Sequence, residues 1–198
     1  MMPNERAPRT EAEIRAYTVG ERKPLSERLH LVAYDPSWPA LFEREAERIK
    51  RALGPAALRI DHTGSTSVPG LAAKPIIDML LVVSNSADES SYVPPLEAVG
   101  YVLRIRQPDW YEHRVFKGPD TDVNLHVLSN GCKEIDRILL FRDWLRVEPS
   151  DRALYEQTKR SLIARDWHYT QQYADAKTEI IDQIVTRARL HTVDRRSD

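Results

Sequence analysis

HTGSTSVPGLAAKPIIDMLLVV, residues 62–83, decides the fold. Its second half, PIIDMLLVV, is the most apolar run in the chain and reads as a central strand buried on both faces. Its first half is a loop rich in small residues, entered from a shorter strand over 58–63. Two of the chain's seven glycines, Gly64 and Gly70, fall in that loop. A Gly-Ser turn at the end of a strand exposes backbone N–H groups and a hydroxyl, which suit phosphate oxygens. Asp78 interrupts the apolar strand, and a buried carboxylate is costly unless paired or bound to a cation. Close to the turn, it is placed to hold Mg²⁺ against the same phosphates. A bare Gly-Ser pair reads more simply as a tight turn needing φ > 0, with Ser and Thr bonding locally. Asp78 weighs against that simpler reading.

Working outward, Leu29 to Tyr34 (LHLVAY) reads as a strand. Trp38, Leu41, Phe42, Ala46, Ile49 and Leu53 follow at helical spacing, and Gly54-Pro55 stops that helix. A short helix is expected around Leu96 to Val99. Tyr101 to Ile105, Glu112 to Lys117 and Asp122 to Ser129 are three more strands, with Gly118-Pro119-Asp120 as a hairpin turn. After Gly131 the pattern is helical: one helix carries Ile135, Ile138, Leu139, Trp144 and Leu145, and Pro149-Ser150 breaks it. A second helix covers about 151–165 and a third about 170–190. This is an α+β chain, a mixed sheet followed by a helical C-terminal third. Residues 1–24 are expected as a flexible arm with a short helix near Glu11 to Tyr17, residues 25–190 as one domain, and 191–198 as a tail carrying Arg195 and Arg196.

Composition narrows the function. The 198 residues carry 29 basic and 30 acidic side chains, so no global basic field draws a nucleic-acid polymer. The one cysteine, Cys132, allows no internal disulfide and has no base partner at motif spacing. No apolar run approaches the roughly 18 residues that span a bilayer, and the charged N-terminus lacks the apolar core of a secretory signal. A cytoplasmic protein is expected, with no membrane partner. Oligomeric state is not legible.

The run HTGSTSVPGLAAKPIIDMLLVV closely resembles the signature of the GrpB family, also called UPF0157. Asn124-Leu125-His126-Val127, ILLFRDWLR at 138–146 and the Tyr and Lys residues of the C-terminal helices are similar to it too, so the resemblance runs from about Leu31 to Ala188. It implies the polymerase-β-like fold of the nucleotidyltransferase superfamily, and a module also found fused to dephospho-coenzyme A kinases. The superfamily pattern is a Gly-Ser turn, then Asp-x-Asp on the next strand, then a later carboxylate, together holding two Mg²⁺ ions. Gly64 and Ser65 match the turn and Asp78 the first aspartate. Leu80 stands where the second should be.

Several residues follow as candidates. Asp122, Asn124 and His126 share one strand face, while Val123, Leu125 and Val127 share the other. His126 is a candidate metal ligand or proton-transfer group, and Asp122, Asn124 and His62 are candidate cleft residues. Gly64, Ser65, Thr66, Ser67 and Lys74 are expected to cradle phosphate. Lys177, four residues after Tyr173, and Lys159, four after Tyr155, fall on apolar helix stripes, where lysine snorkels or aims at an anion. Arg142 joins them as a phosphate candidate; the simpler role for it and for Arg137 is pairing with Asp136 or Asp143. Trp38, Phe42 and Trp144 read as core, and Trp110 and Tyr111 as a pocket rim. The resulting expectation is a Mg²⁺-dependent transfer of a nucleotidyl group from a nucleoside triphosphate to a small-molecule or coenzyme-like acceptor. In it Asp78 and His126 are catalytic and hold the metal. The alternative is a degenerate fold acting as a nucleotide- or metabolite-binding accessory module, or a cleft repurposed as a biosynthetic ligase or cyclase.

Overall fold

The computed structural model describes residues 9–21, 25 and 28–194. Its centre is a five-stranded mixed sheet of order β1-β2-β5-β4-β3, made of β1 (Arg59–Thr63), β2 (Ile77–Val83), β3 (Val102–Gln107), β4 (His113–Lys117) and β5 (Val123–Ser129). Only the central β2·β5 pair is parallel; β1·β2, β5·β4 and β4·β3 are antiparallel. Because residues alternate between faces, the odd-numbered Ile77, Met79, Leu81 and Val83 share one core with Val123, Leu125 and Val127. The helices α2 (Trp38–Leu53) and α3 (Val93–Ala98) cover that face through Trp38, Ala46, Ile49, Leu53 and Leu96.

The even-numbered face is divided. Leu80, Val82 and Leu128 lie under Ile135 and Leu139 of α4 (Lys133–Val147). Asp78, Asn124 and His126 lie at the other end of the same face. A second cluster joins Val68 and Leu71 of the loop to Leu145 of α4, Tyr155 of α5 (Pro149–Ile163) and Ile184 of α7 (Thr178–Asp194). The C-terminal helices are thereby pinned onto the loop that follows β1.

The α+β reading is the observed architecture. Three boundaries differ from expectation. Residues 29–34 form no sheet strand; one antiparallel bridge, Val32 to Ala73, is their backbone pairing. Their partner is the loop before β2, which supplies Val32 with one reciprocal pair of hydrogen bonds at 2.8 and 3.0 Å. Pro149 begins a helix rather than only ending one. It occupies the first turn, where its missing N–H is no loss, and the Glu148 carboxylate accepts from the Ser150 amide at 3.2 Å. The single helix expected over 170–190 is two, α6 (Thr170–Asp175) and α7, separated at Ala176 and Lys177.

Of the arm expected over 1–24, Glu11–Tyr17 form α1, closed by a capping box between Thr10 and Glu13. Ile14 is buried, and Val19 donates to the Arg104 carbonyl at 2.9 Å, so this segment covers the outer edge of β3. Arg195 and Arg196 lie outside the described residues. No helix among those described is long and apolar enough to cross a membrane.

Candidate functional site

The loop after β1 turns at Gly64, whose φ of +65° and ψ of −170° are open to glycine and hostile to other residues. It is held on one side by β2. A Cβ at Gly64 would stand 2.3 Å from Asp78 Oδ2, so the carboxylate rests directly on the turn. The register explains why: Asp78 pairs with Thr63 on β1 and with Asn124 on β5. Asn124 donates its amide to Asp78 Oδ1 at 2.7 Å. One carboxylate oxygen is therefore occupied and the other faces the turn.

Lysines close the site. Lys159 of α5 is 2% exposed, and its Nζ reaches the Ser65 hydroxyl at 3.1 Å and the Ala72 carbonyl. Its ammonium also lies 5.0 Å from the Tyr155 ring centre. Lys74 and Lys177 share the ring of buried Tyr173, at 5.2 and 4.8 Å. Burial, reinforced by the charge of Lys177, pushes the Lys159 ammonium down to about 7 and Lys74 down to about 8. The break between α6 and α7 belongs to this arrangement, because Lys177 sits in the turn rather than on a helix stripe.

His126 lies one register step beyond Asn124, opposite Leu80 on β2. Its Nδ1 is 3.0 Å from His113 Nε2 on β4, and His113 Nδ1 is 2.8 Å from Gln107 Oε1 on β3. Burial keeps both imidazoles below their ordinary range. On the same face, Lys117 pairs opposite Asn124 and donates to Asp122 at 2.8 Å.

Gly64, Ser65, Asp78, Asn124, Lys74, Lys159 and Lys177 are thus brought together, with His126 beside them. Asp122 is at the rim, paired with Lys117. Other candidates lie elsewhere. His62 is on the opposite sheet face, stacked on Phe42 at 4.9 Å and bonded to Thr66 Oγ1 at 3.0 Å; burial pushes its imidazole down to about 4. The Thr66 and Ser67 hydroxyls are turned inward, to the Ile76 and Gly64 carbonyls. Arg142 binds Asp143, Asp61 and the His62 carbonyl at the edge of β1, so it braces the strand rather than joining the lysines. Arg137 pairs with Glu134 and Asp182. Arg146 grips the loop from behind, donating twice to the Ser67 carbonyl at 3.0 and 2.9 Å. Arg146, His113, Gln107 and Lys117 were not singled out in the sequence. For His113 and Lys117 a period-two reading of β4 carried the signal, and for Arg146 its place at the end of the ILLFRDWLR segment; for Gln107 none did.

A resident two-ion centre does not fit. Leu80, where a second carboxylate would stand, is fully buried under α4. Among the described residues no three His, Cys, Asp or Glu side chains converge on a cation site. Asp78 and His126 together offer one carboxylate and one imidazole, fewer oxygen ligands than Mg²⁺ prefers.

The family model described as "GrpB protein" matches residues 28–187. A UPF0157 protein of Halalkalibacterium halodurans is 61% identical over 91% of this chain and 93% of its own. A crystal structure of the conserved protein GrpB from Enterococcus faecalis superposes with a TM-score of 0.71 at 30% identity, covering 80% of this chain and 96% of that one. A protein of Mycolicibacterium paratuberculosis named dephospho-CoA kinase is 33% identical over 76% of this chain, which spans 43% of that longer protein.

Proposed function

The chain belongs to the GrpB family, and we propose that it transfers a nucleotidyl group from a nucleoside triphosphate, presented as its Mg²⁺ complex, to a small-molecule or coenzyme-like acceptor. The observation that carries this reading is the closure of Asp78 onto the Gly64-Ser65 turn, with Lys159 on Ser65 and Lys74 and Lys177 gathered on the Tyr173 ring within electrostatic reach. That arrangement suits a polyphosphate. The turn offers backbone N–H groups, and Lys74, Lys159 and Lys177 balance the charge. The acceptor attacks the α-phosphorus, its proton passes to His126 Nε2, and pyrophosphate leaves toward the lysines. Most of the acceleration in such a step comes from positioning and electrostatics. The relative named dephospho-CoA kinase supports the coenzyme-like end of the acceptor class.

Leu80 favours a second reading. Without a second carboxylate, the same cleft would bind a nucleotide or phosphorylated metabolite as an accessory module, or serve a ligase or cyclase. Pyrophosphate release separates the two. Transfer predicts release with Mg²⁺ and a nucleoside triphosphate, lost in Asp78→Ala with the fold intact. Binding without release supports the second reading, and undiminished turnover in Asp78→Ala contradicts the first.

A further inference from the structure

We infer that Gln107 and His113 are positioning residues that fix the tautomer of His126, leaving Nε2 as its proton-accepting nitrogen. The inference rests on the assignment of His126 as the proton acceptor in the proposed transfer.

The chain of bonds runs across three strands. Gln107 on β3 and His113 on β4 are register partners at the closed end of a hairpin. His126 follows on β5. Gln107 and His113 are 4% and 6% exposed, so neither exchanges its partner for water. Gln107 Oε1 carries only lone pairs, so the 2.8 Å bond requires the proton on His113 Nδ1. His113 is neutral, because burial and the neighbouring His126 hold its imidazole well below the ordinary range. A neutral ring with Nδ1–H has a lone pair at Nε2. The 3.0 Å contact to His126 Nδ1 is then a bond donated by His126. The ring centres are 5.2 Å apart and the planes within 12° of parallel, a separation compatible with rings bonded nitrogen to nitrogen. Burial, against the opposing charge of Asp78, lowers the His126 imidazole too, and its remaining nitrogen, Nε2, is a free base. No hydrogen bond to Nε2 is made among the described residues.

The hairpin is built to hold this chain. Its turn passes through Tyr111 at φ 57° and Glu112 at φ 50°, two consecutive left-handed residues that are not glycine. Such conformations are costly and persist where surrounding contacts enforce them. Here the turn folds Trp110 back, so that its carbonyl accepts from the His113 amide at 3.1 Å and its ring meets the His113 ring edge-on at 5.0 Å. Trp110 therefore helps to set His113.

The test is the tautomer itself, read from long-range ¹H–¹⁵N spectra of the intact protein at neutral pH. Wild type is expected to show His126 protonated on Nδ1. Gln107→Leu removes the acceptor and is expected to move that proton to Nε2. Gln107→Glu keeps an acceptor and is expected to keep the wild-type pattern. In turnover, Gln107→Leu is expected to lower kcat by about 10- to 100-fold with KM unchanged, and Gln107→Glu to recover most of it. His126 protonated on Nε2 in wild type, or on Nδ1 in Gln107→Leu, overturns the inference. The wild-type spectrum decides even if a variant fails to fold. The predicted tautomers with an unchanged kcat in Gln107→Leu would instead refute His126 as the base and leave the positioning chain standing.

Discussion

Asp78 and Gly64 occupy each other's space: the carboxylate sits where any side chain at residue 64 would go. Gly64→Ala therefore meets two penalties, a positive φ and a 2.3 Å clash. Each is worth about 1–3 kcal/mol when the structure cannot relax. We expect a loss of at least about 2 kcal/mol by urea denaturation, and a smaller loss when Gly64→Ala is made on an Asp78→Ala background. A double-mutant cycle measures that coupling; additive losses would contradict the close approach.

Leu80 shows why a second carboxylate cannot simply be restored. It is fully buried among Val82, Leu128, Ile135 and Leu139. Leu80→Asp places an unpaired charge under α4, so the residue is expected to take up a proton and the protein to lose about 3–5 kcal/mol. A variant that kept its denaturation midpoint and gained Mg²⁺ affinity would show that the position belongs to the site rather than to the core.

The face and the loop were legible for different reasons. A continuous apolar run with one aspartate fixes β2, and alternation along 122–127 places Asn124 and His126 beside it. What escaped depends on contacts between distant elements. The break at Lys177 carries no glycine or proline; it comes with the docking of Lys177 and Lys74 on Tyr173. LHLVAY has strand composition, but only Ala73 offers it a backbone partner. His62 adjoins the turn in sequence, yet period-two alternation sends it to the α2 face, where Phe42 covers it.

Stability should fall in acid. His62, His113 and His126 all have lowered folded-state values, with His62 at about 4. Between about pH 4 and the unfolded value near 6.5 the unfolded chain binds more protons, so stability falls as pH falls through that window. His62→Gln removes one of the three groups, and its denaturation midpoint should change less steeply from pH 6.5 to 4.5 than that of wild type. An equally steep slope would contradict the assignment.

The lysines act in the opposite range. Lys159 at about 7 and Lys74 at about 8 lie below their unfolded values near 10.4. The unfolded chain again binds more protons, so stability rises with pH from about 7 upward. A bound polyphosphate would return the protons. Calorimetry of inorganic pyrophosphate binding at pH 8.5, in two buffers of different ionisation enthalpy, is expected to show net proton uptake. Lys159→Met should reduce it. Zero uptake in wild type would mean that the anion does not meet these ammoniums.

The most direct test of the central claim is calorimetric titration of each nucleoside triphosphate, with and without Mg²⁺, into wild type and Lys159→Met. The account predicts Mg²⁺-dependent binding of at least one triphosphate to wild type. It predicts a loss of at least about tenfold in Lys159→Met, since the variant removes a charge-assisted bond at the Ser65 turn. Equal binding by the two proteins, or no binding of any triphosphate to wild type, would contradict it.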